Sequence, residues 1–109
     1  MEKNYEYEED LDILYVYNNP LKEGPIGNVV LDNMVIDIGE NGKVLGIEID
    51  CPSPFFNLSR EQLKNLKNAQ IKIIKIGKTV SVGIFLSTES REHSFQLNIP
   101  REYSEKASH

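Results

Sequence analysis

The feature that most constrains this chain is a segment of alternating hydrophobicity interrupted by the dipeptide Asn41-Gly42. Apolar residues occupy every second position before and after it: Met34, Ile36, Ile38, Leu45, Ile47 and Ile49. A period of two is the pattern of a half-buried β-strand, and Asn-Gly favours a two-residue turn in which both central residues have positive φ. The segment therefore predicts an antiparallel hairpin in which Ile38 opposes Leu45 and Ile36 opposes Ile47.

Further strands and one helix are predicted on either side of this hairpin. Strand-forming residues at 5–17 and 29–31 complete a first β-meander, and Gly77-Lys78 is the turn of a second meander over residues 71–99. In the second meander Ile73 opposes Val82, and Leu86 opposes Phe95. The predicted fold class is α+β, with two antiparallel β-meanders joined by one short helix around a single core.

The predicted helix runs over about residues 59–68. Ser59 and Gln62 have the spacing of a capping box, in which the two side chains satisfy backbone N–H groups of the first helical turn. The preceding segment, Cys51-Pro52-Ser53-Pro54, is predicted as a stiff connector because each proline also restricts the residue before it.

Chain length and composition predict a single domain. The 109 residues suit one mostly-β domain over residues 1–100, followed by a flexible tail over residues 101–109. One cysteine excludes an intramolecular disulfide, as expected of a reduced compartment. The acidic N-terminus lacks the apolar core of a signal peptide, and no apolar run approaches the ~20 residues of a membrane span. We therefore expect a cytoplasmic protein with no membrane association.

Charge is distributed unevenly along the chain. Residues 1–50 hold 12 acidic and 3 basic residues, whereas residues 51–109 hold 5 acidic and 9 basic residues, and the balances of −9 and +4 give the net charge of −5. Six cations lie in one stretch with only Glu61 opposing them: Arg60, Lys64, Lys67, Lys72, Lys75 and Lys78. This stretch predicts either a solvated face or a contact surface for an acidic partner or nucleic acid.

Two other groups of residues are candidates for binding. Asp12, Asp37 and Glu48 are candidate ligands, because carboxylates on adjacent strands bind hard cations or serve as an acid–base pair, although polar-out alternation places them there equally well. Tyr5, Tyr7, Tyr15 and Tyr17 form a tyrosine-rich segment that could line a partner interface or stack a ligand. Cross-strand pairing that stabilises the sheet is the alternative.

Residue types and spacing argue against several chemistries. Two histidines and one cysteine are too few for a structural zinc site. Gly77-Lys78-Thr79 has the end of a phosphate-binding loop, but position 72 is lysine where that motif needs glycine, and strand-like residues follow. No catalytic residue, metal or cofactor is predicted, and an enzymatic function is not favoured.

The first half of the chain resembles a family of small prokaryotic proteins known as a domain of unknown function. Its members carry a Tyr-Asp…Asp-x-Leu-Tyr strand and a Gly-(Lys/Arg)-x-x-Gly-Ile-Glu strand, which match Tyr7, Asp12, Leu14-Tyr15 and the segment Gly42–Glu48. The likeness covers about residues 7–50, and it departs from the pattern at Glu8 and Leu11. It implies a compact β-rich unit with a conceivable antitoxin-like or accessory role.

The function expected from these observations is that of a non-enzymatic interaction protein, self-associating or bound to another protein. Exposed sheet edges, the tyrosine-rich segment and the opposite charges of the two halves favour it. An alternative is a small-ligand or divalent-metal module that uses the acidic sheet face. A third is a nucleic-acid-associated accessory protein that uses the basic second half, which the acidic first half disfavours.

Overall fold

Strand-forming sequence and turn residues divide residues 4–100 into eight β-strands and two short helices. A computed structural model describes residues 4–100, and the predicted tail over residues 101–109 lies outside them. The elements in chain order are β1 (Tyr5–Glu8), β2 (Ile13–Tyr17), β3 (Gly27–Leu31), β4 (Met34–Ile38), β5 (Val44–Asp50), α1 (Pro52–Phe56), α2 (Arg60–Lys64), β6 (Asn68–Ile76), β7 (Thr79–Ser87) and β8 (Glu92–Pro100).

Strands β1–β5 form one antiparallel sheet in the spatial order β1-β2-β5-β4-β3. The prediction of a simple first meander is therefore wrong. Only β3, β4 and β5 follow one another as a meander, and the β1–β2 hairpin is added beside β5, which gives strands β2–β5 a Greek-key order. The nine residues 18–26, which contain two prolines and a glycine, form the connection that carries the chain across to the far edge.

The turn between β4 and β5 has the predicted chemistry but a different register beside it. Asn41 and Gly42 have φ of 62° and 74°, as the predicted turn requires. Ile36 opposes Ile47 as predicted, whereas Ile38 opposes Val44 and not Leu45, because the register shifts by one residue at a β-bulge. The backbone carbonyl of Leu45 instead accepts a hydrogen bond (2.8 Å) from the N–H of Asn18, beyond the end of β2.

Strands β6, β7 and β8 form the second, three-stranded antiparallel sheet. The predicted pairing of Ile73 with Val82 is confirmed. The predicted pairing of Leu86 with Phe95 is wrong by two residues, since Leu86 opposes His93. A backbone hydrogen bond from Thr88 N–H to Arg91 O closes the loop, so that only Glu89 and Ser90 lie between the bonded residues. A slip of two keeps every side chain on its predicted face.

Two helices occupy the segment between the sheets, so the prediction of a single helix over 59–68 is wrong. The segment predicted as a connector forms α1, because proline is tolerated in the first helical turn, where its missing N–H has no helical partner anyway. Helix α2 begins with the predicted capping box of Ser59 and Gln62. It ends at Lys64, since Lys67 N–H already donates to Ser87 O and the chain enters β6 at Asn68.

The inward faces of both sheets and one side of each helix pack together. Leu14 and Ile47 from the first sheet, Val82 and Ile84 from the second, and Leu63 from α2 are at most 2% exposed and belong to one connected apolar cluster. The five-stranded sheet therefore buries one face and presents the other to solvent. Within residues 4–100, no helix has the length and apolar character needed to cross a membrane.

The β6–β7 turn provides a test of the fold. Gly77 has φ of 58°, which is strained for any residue with a Cβ, while Gly24 has an ordinary φ and open space around it. We expect Gly77→Ala to lower the free energy of unfolding by about 1 kcal/mol. Gly24→Ala is the matched control and should not lower it, as measured by urea denaturation. Equal losses in the two variants would contradict the assigned turn.

Candidate functional site

Strand alternation divides the four tyrosines of the first hairpin into two pairs. Tyr5 and Tyr7 point inward, and the Tyr5 hydroxyl donates a 2.9 Å hydrogen bond to the carbonyl of Leu66. Tyr15 and Tyr17 lie on the outer side of the sheet, with nearly parallel rings whose centroids are 6.4 Å apart. Of the four residues predicted to line an interface, two are therefore part of the interior and two remain available at the surface.

Tyr15 is held by a cross-strand carboxylate. It lies opposite Glu48 of β5, to which it is hydrogen-bonded, and opposite Glu6 of β1. The hydrogen bond to Glu48, together with burial, raises the pKa of Tyr15 to about 12. Tyr15 is thus neutral at physiological pH and acts as a donor to Glu48.

Tyr17 lies over the glycine of the neighbouring strand. It pairs with Gly46, where an added Cβ would be 3.1 Å from the carbonyl oxygen of Val16 and 3.7 Å from Tyr17 Cδ1. Any side chain at position 46 would therefore press on the strand that carries the ring. Tyr17 remains 40% exposed, and burial and the nearby Glu6 raise its pKa.

Carboxylates surround the two rings. We define the tyrosine–carboxylate face as the outer side of the five-stranded sheet, with the residues Glu6, Glu8, Tyr15, Tyr17, Asp37, Glu48 and Asp50. The remaining outward positions of its strands are Ile13, Asn28, Val30, Val35 and Gly46, so none of the five strands presents a lysine or arginine on this side. The face carries five acidic groups and no cation from its own strands.

Asp37 is a carboxylate of this face whose charge is not offset by a hydrogen bond or an ion pair with a described side chain. It is partly buried at the fourth of the five positions of β4, and burial raises its pKa. Within residues 4–100, no side chain forms a hydrogen bond or an ion pair with it. Its pairing partner is Gly46, and Glu48 lies diagonally beside it on β5. The predicted sharing of one face by Asp37 and Glu48 is therefore reproduced despite the bulge.

Asp12, the third predicted ligand, lies elsewhere. Its carboxylate accepts hydrogen bonds from the inward-facing Tyr7 hydroxyl (2.6 Å) and from Ser53 Oγ (2.7 Å), and the residue is only 4% exposed. Burial alone would raise the pKa of Asp12, but these hydrogen bonds and the nearby Arg60 outweigh it and hold the pKa below its ordinary value. Asp12 thus ties the β1–β2 turn to the start of α1.

The described residues do not assemble a metal centre. Asp12 is bonded on the inner side while Asp37 and Glu48 are on the outer side, and no three His, Cys, Asp or Glu residues between 4 and 100 are arranged to hold an ion. Cys51 is exposed beyond the end of β5. His93 lies opposite Leu86, and its buried Nε2 has no hydrogen-bond partner among the described groups.

The six predicted basic residues differ in their surroundings. Arg60 donates a hydrogen bond to the carbonyl of Glu9, and Lys64 lies 3.6 Å from the carboxylate of the same residue. Lys67 pairs with Glu89 at 3.7 Å, and Lys72 lies over the ring of Phe85 at 4.9 Å from its centroid. Lys75 and Lys78 are at the exposed end of the β6–β7 hairpin. The acidic first half and the cations of α2 therefore neutralise each other in part.

The sequence has matches among known proteins. The profile of a family described as "Protein of unknown function (DUF2283)" matches residues 4–50, which contain all five strands of the first sheet. A protein of Methanocaldococcus jannaschii called "Uncharacterized protein MJ0789" is 35% identical over 98 residues, covering 82% of this chain and 76% of that relative. A protein of Methanosarcina mazei with the name "Putative hypoxanthine phosphoribosyltransferase" is 29% identical over 87 residues, covering 80% and 69%. No solved structure matches.

The Asp12 contacts predict an acid-sensitive contribution to stability. We expect Asp12→Ala to lower the free energy of unfolding by about 2–3 kcal/mol at neutral pH, because Tyr7 and Ser53 lose their acceptor in a buried site. Since the pKa of Asp12 is lower in the folded state, this contribution is present above the unfolded pKa and is lost as the pH falls through the folded value. Asp10→Ala, in the same turn but exposed, is the control in the same denaturation series.

For Asp37 we predict the opposite effect of charge on the free energy of unfolding. Because its pKa is raised in the folded state, its charge opposes folding above both pKa values, and the wild-type protein recovers stability as the pH falls through the folded pKa. We expect Asp37→Asn to be more stable than wild type at about pH 7 and no more stable at about pH 3. Denaturation at the two pH values measures this, with the exposed Asp50→Asn as control. A loss of stability at neutral pH would refute it.

Proposed function

This chain belongs to the DUF2283 family of proteins of unknown function, and we propose that it is a non-enzymatic interaction protein whose tyrosine–carboxylate face binds a cation-rich segment of a protein partner. The observation that carries the proposal is the stacked pair of Tyr15 and Tyr17, set among five carboxylates on a sheet face whose own strands supply no cation. Exposure to solvent explains why a sheet face carries polar residues. It does not explain why all the charged residues of this face are acidic.

Charge of one sign on a flat face favours partners of the opposite sign. Like charges on neighbouring strands repel each other, and their summed potential raises the local concentration of cations and steers a basic partner towards the face. A lysine or arginine from a partner would relieve this repulsion. A partner's cation would stabilise Asp37 most, because burial disfavours the charge of this carboxylate in the free protein and no described side chain pairs with it.

The tyrosines suit the same class of partner. An arginine or lysine over the face of an aromatic ring gains a cation–π interaction of about 0.5–2 kcal/mol, depending on how fully it is desolvated. The hydrogen bond to Glu48 restrains Tyr15, so that ordering this ring on binding costs little side-chain entropy, and the ring of Tyr17 lies parallel to it. The two rings and the nearby carboxylate of Asp37 together form a favourable site for guanidinium groups.

A surface depression of about 630 Å³ adjoins the face at Tyr17. Glu6 and Tyr17 form its border with the face, and Asn19, Lys22 and Glu23 of the β2–β3 connection line its other side. The connection is itself organised by hydrogen bonds between Asn19 and Glu23. This volume is large enough to receive a side chain of a bound segment next to the tyrosine rings.

Anionic ligands fit the face poorly. A phosphoribosyl group, which the name of the Methanosarcina relative implies for that protein, or the backbone of a nucleic acid would meet five carboxylates there. Helices that bind phosphate present free N–H groups after a glycine-rich loop. Within residues 4–100 the two helices follow Cys51 and Ser59, and Pro52 opens the first of them. We therefore base the proposal on cationic partners.

A small-ligand or divalent-metal role for the acidic face is the competing proposal. Asp37 and Glu48 share the face, but Asp12 does not join them, and within residues 4–100 no third carboxylate is placed to complete a site with them. Two carboxylates supply too few of the six to eight oxygen ligands that Ca²⁺ takes. A protein partner requires no such coordination sphere. The binding experiment below separates the two proposals by including divalent ions as competitors.

The test is binding of a fluorescently labelled, arginine- and lysine-rich peptide, followed by anisotropy. We expect binding that weakens as salt is raised, because the contacts are charged and exposed. Asp37→Asn combined with Glu48→Gln should weaken it about tenfold, since two acceptors that face the peptide are lost. A peptide in which glutamine replaces the cations should not bind.

The matched control removes the same number of charges elsewhere. Glu40→Gln combined with Glu92→Gln changes two exposed carboxylates that are not on the face, and it should leave the affinity within about twofold of wild type. Equal weakening in both double variants would show only a net-charge effect and would refute a specific site. Displacement of the peptide by millimolar-range calcium or magnesium would favour the metal proposal instead.

A further inference from the structure

The two sheets have four edge strands, and they differ in how well they are protected against pairing. An edge presents unpaired backbone N–H and C=O groups, and proteins protect edges by making them short or by placing charged residues and prolines on them. Strand β1 has four residues, two of which are glutamates, and β3 has five residues. Both edges of the first sheet are therefore short.

Strand β6 is long but protected. Its nine residues include Lys72 and Lys75, and side-chain charge on an edge opposes pairing with another copy. The carbonyl of Ala69, near its beginning, already accepts a hydrogen bond from the side-chain amide of Asn4. The β6 edge is therefore hydrogen-bonded to Asn4 near its beginning and carries Lys72 and Lys75 farther along.

Strand β8 has none of these protections over its central part. It has nine residues, yet from His93 to Ile99 it contains no Asp, Glu, Lys, Arg, Gly or Pro. It pairs with β7 on one side, and within residues 4–100 no strand pairs with its other side. We infer that β8 pairs antiparallel with β8 of a second copy, which joins the two three-stranded sheets into a continuous six-stranded sheet about a two-fold axis.

Electrostatics favours this surface for self-association. Each chain has a net charge of −5, so that most approaches of two copies are repulsive. Strand β7 contains no charged residue, and β8 has only Glu92, at its end. Two copies that meet through β8 therefore bring together strands that carry one carboxylate per copy.

Alternation restricts the register of the pair. The inward residues of both copies must share one face, because a slip of one residue would turn the apolar side chains of one copy to the outer side. The register that pairs the whole strand with itself is centred on Gln96, and it places Phe95 opposite Leu97 of the second copy. On the outer side it places Ser94 opposite Asn98.

Apolar surface beside the edge would be covered in this arrangement. Phe95 and Leu97 are only partly buried against the core, and Phe55 of α1, which is 38% exposed, contacts Phe95 with ring centroids 4.8 Å apart. In the proposed pair, Leu97 of the second copy lies next to Phe95 and Phe55 of the first. A single strand pair buries less than the ~1,600 Å² of a standard interface, so we expect a dimer with an affinity in the micromolar range.

The experiment uses like and opposite charges placed across the proposed axis, in the full chain. Ser94→Lys combined with Asn98→Lys puts lysine opposite lysine twice, whereas Ser94→Lys combined with Asn98→Glu puts lysine opposite glutamate at the same positions. Both side chains are exposed in the single chain. By sedimentation velocity we expect wild type to dimerise, the double-lysine variant to dimerise about tenfold more weakly, and the lysine–glutamate variant to retain the dimer.

Amide hydrogen exchange of the wild-type protein keeps the inference testable if a variant fails to fold. We expect exchange at residues 93–99 to slow as the protein concentration rises. A wild-type monomer at all concentrations, equal dimerisation of the two double variants, or a dimer without protection at residues 93–99 would each overturn the inference. Asp37→Asn combined with Glu48→Gln should dimerise as wild type does, so that failure of peptide binding and failure of dimerisation are distinguishable.

Discussion

The pairing of β2 with β5 connects the N-terminal hairpin to the rest of the protein, and both sides of the first sheet depend on it. On the inner side it sets Leu14 against Ile49 and Val16 against Ile47, which places the hairpin on the common core. On the outer side the same ladder sets Tyr15 against Glu48. A shift of one residue would expose the apolar side chains and bury Tyr15, so core packing fixes the geometry of the surface.

Local signals in the sequence were sufficient for the β4–β5 turn, the β6–β7 hairpin and the start of α2. The positive φ values at Asn41-Gly42, the Ile73–Val82 pairing and the Ser59–Gln62 capping box follow from residues close to one another in the chain. Such interactions depend on turn geometry and on hydrogen bonds across a few residues, which the identity of those residues determines.

The errors arose where a distant element decides between local alternatives. The one-residue bulge at Ile38 accompanies a hydrogen bond from the N–H of Asn18, after β2, to the carbonyl of Leu45. The end of α2 accompanies the hydrogen bond from the N–H of Lys67 to the carbonyl of Ser87 in β7. The predicted β7–β8 register differs from the observed one by two residues. Hydrophobic alternation does not distinguish the two registers, because a shift of two residues leaves every side chain on the same face. For the candidate site, alternation predicted that Asp37 and Glu48 share a face. It did not reveal that Asp12 is held on the inner side by Tyr7.

The order of strands in the first sheet has a consequence for how the protein emerges during synthesis. Strand β2 leaves the ribosome before its partner β5, which ends at Asp50. Until β5 emerges, the nascent hairpin lacks the neighbouring strand that helps to cover Leu14 and Val16. Pairing with β5 must also overcome the entropy of closing a long connection. The β1–β2 hairpin is therefore synthesised before the strand that shelters it, and its apolar side chains are open to chaperones or to aggregation during that interval.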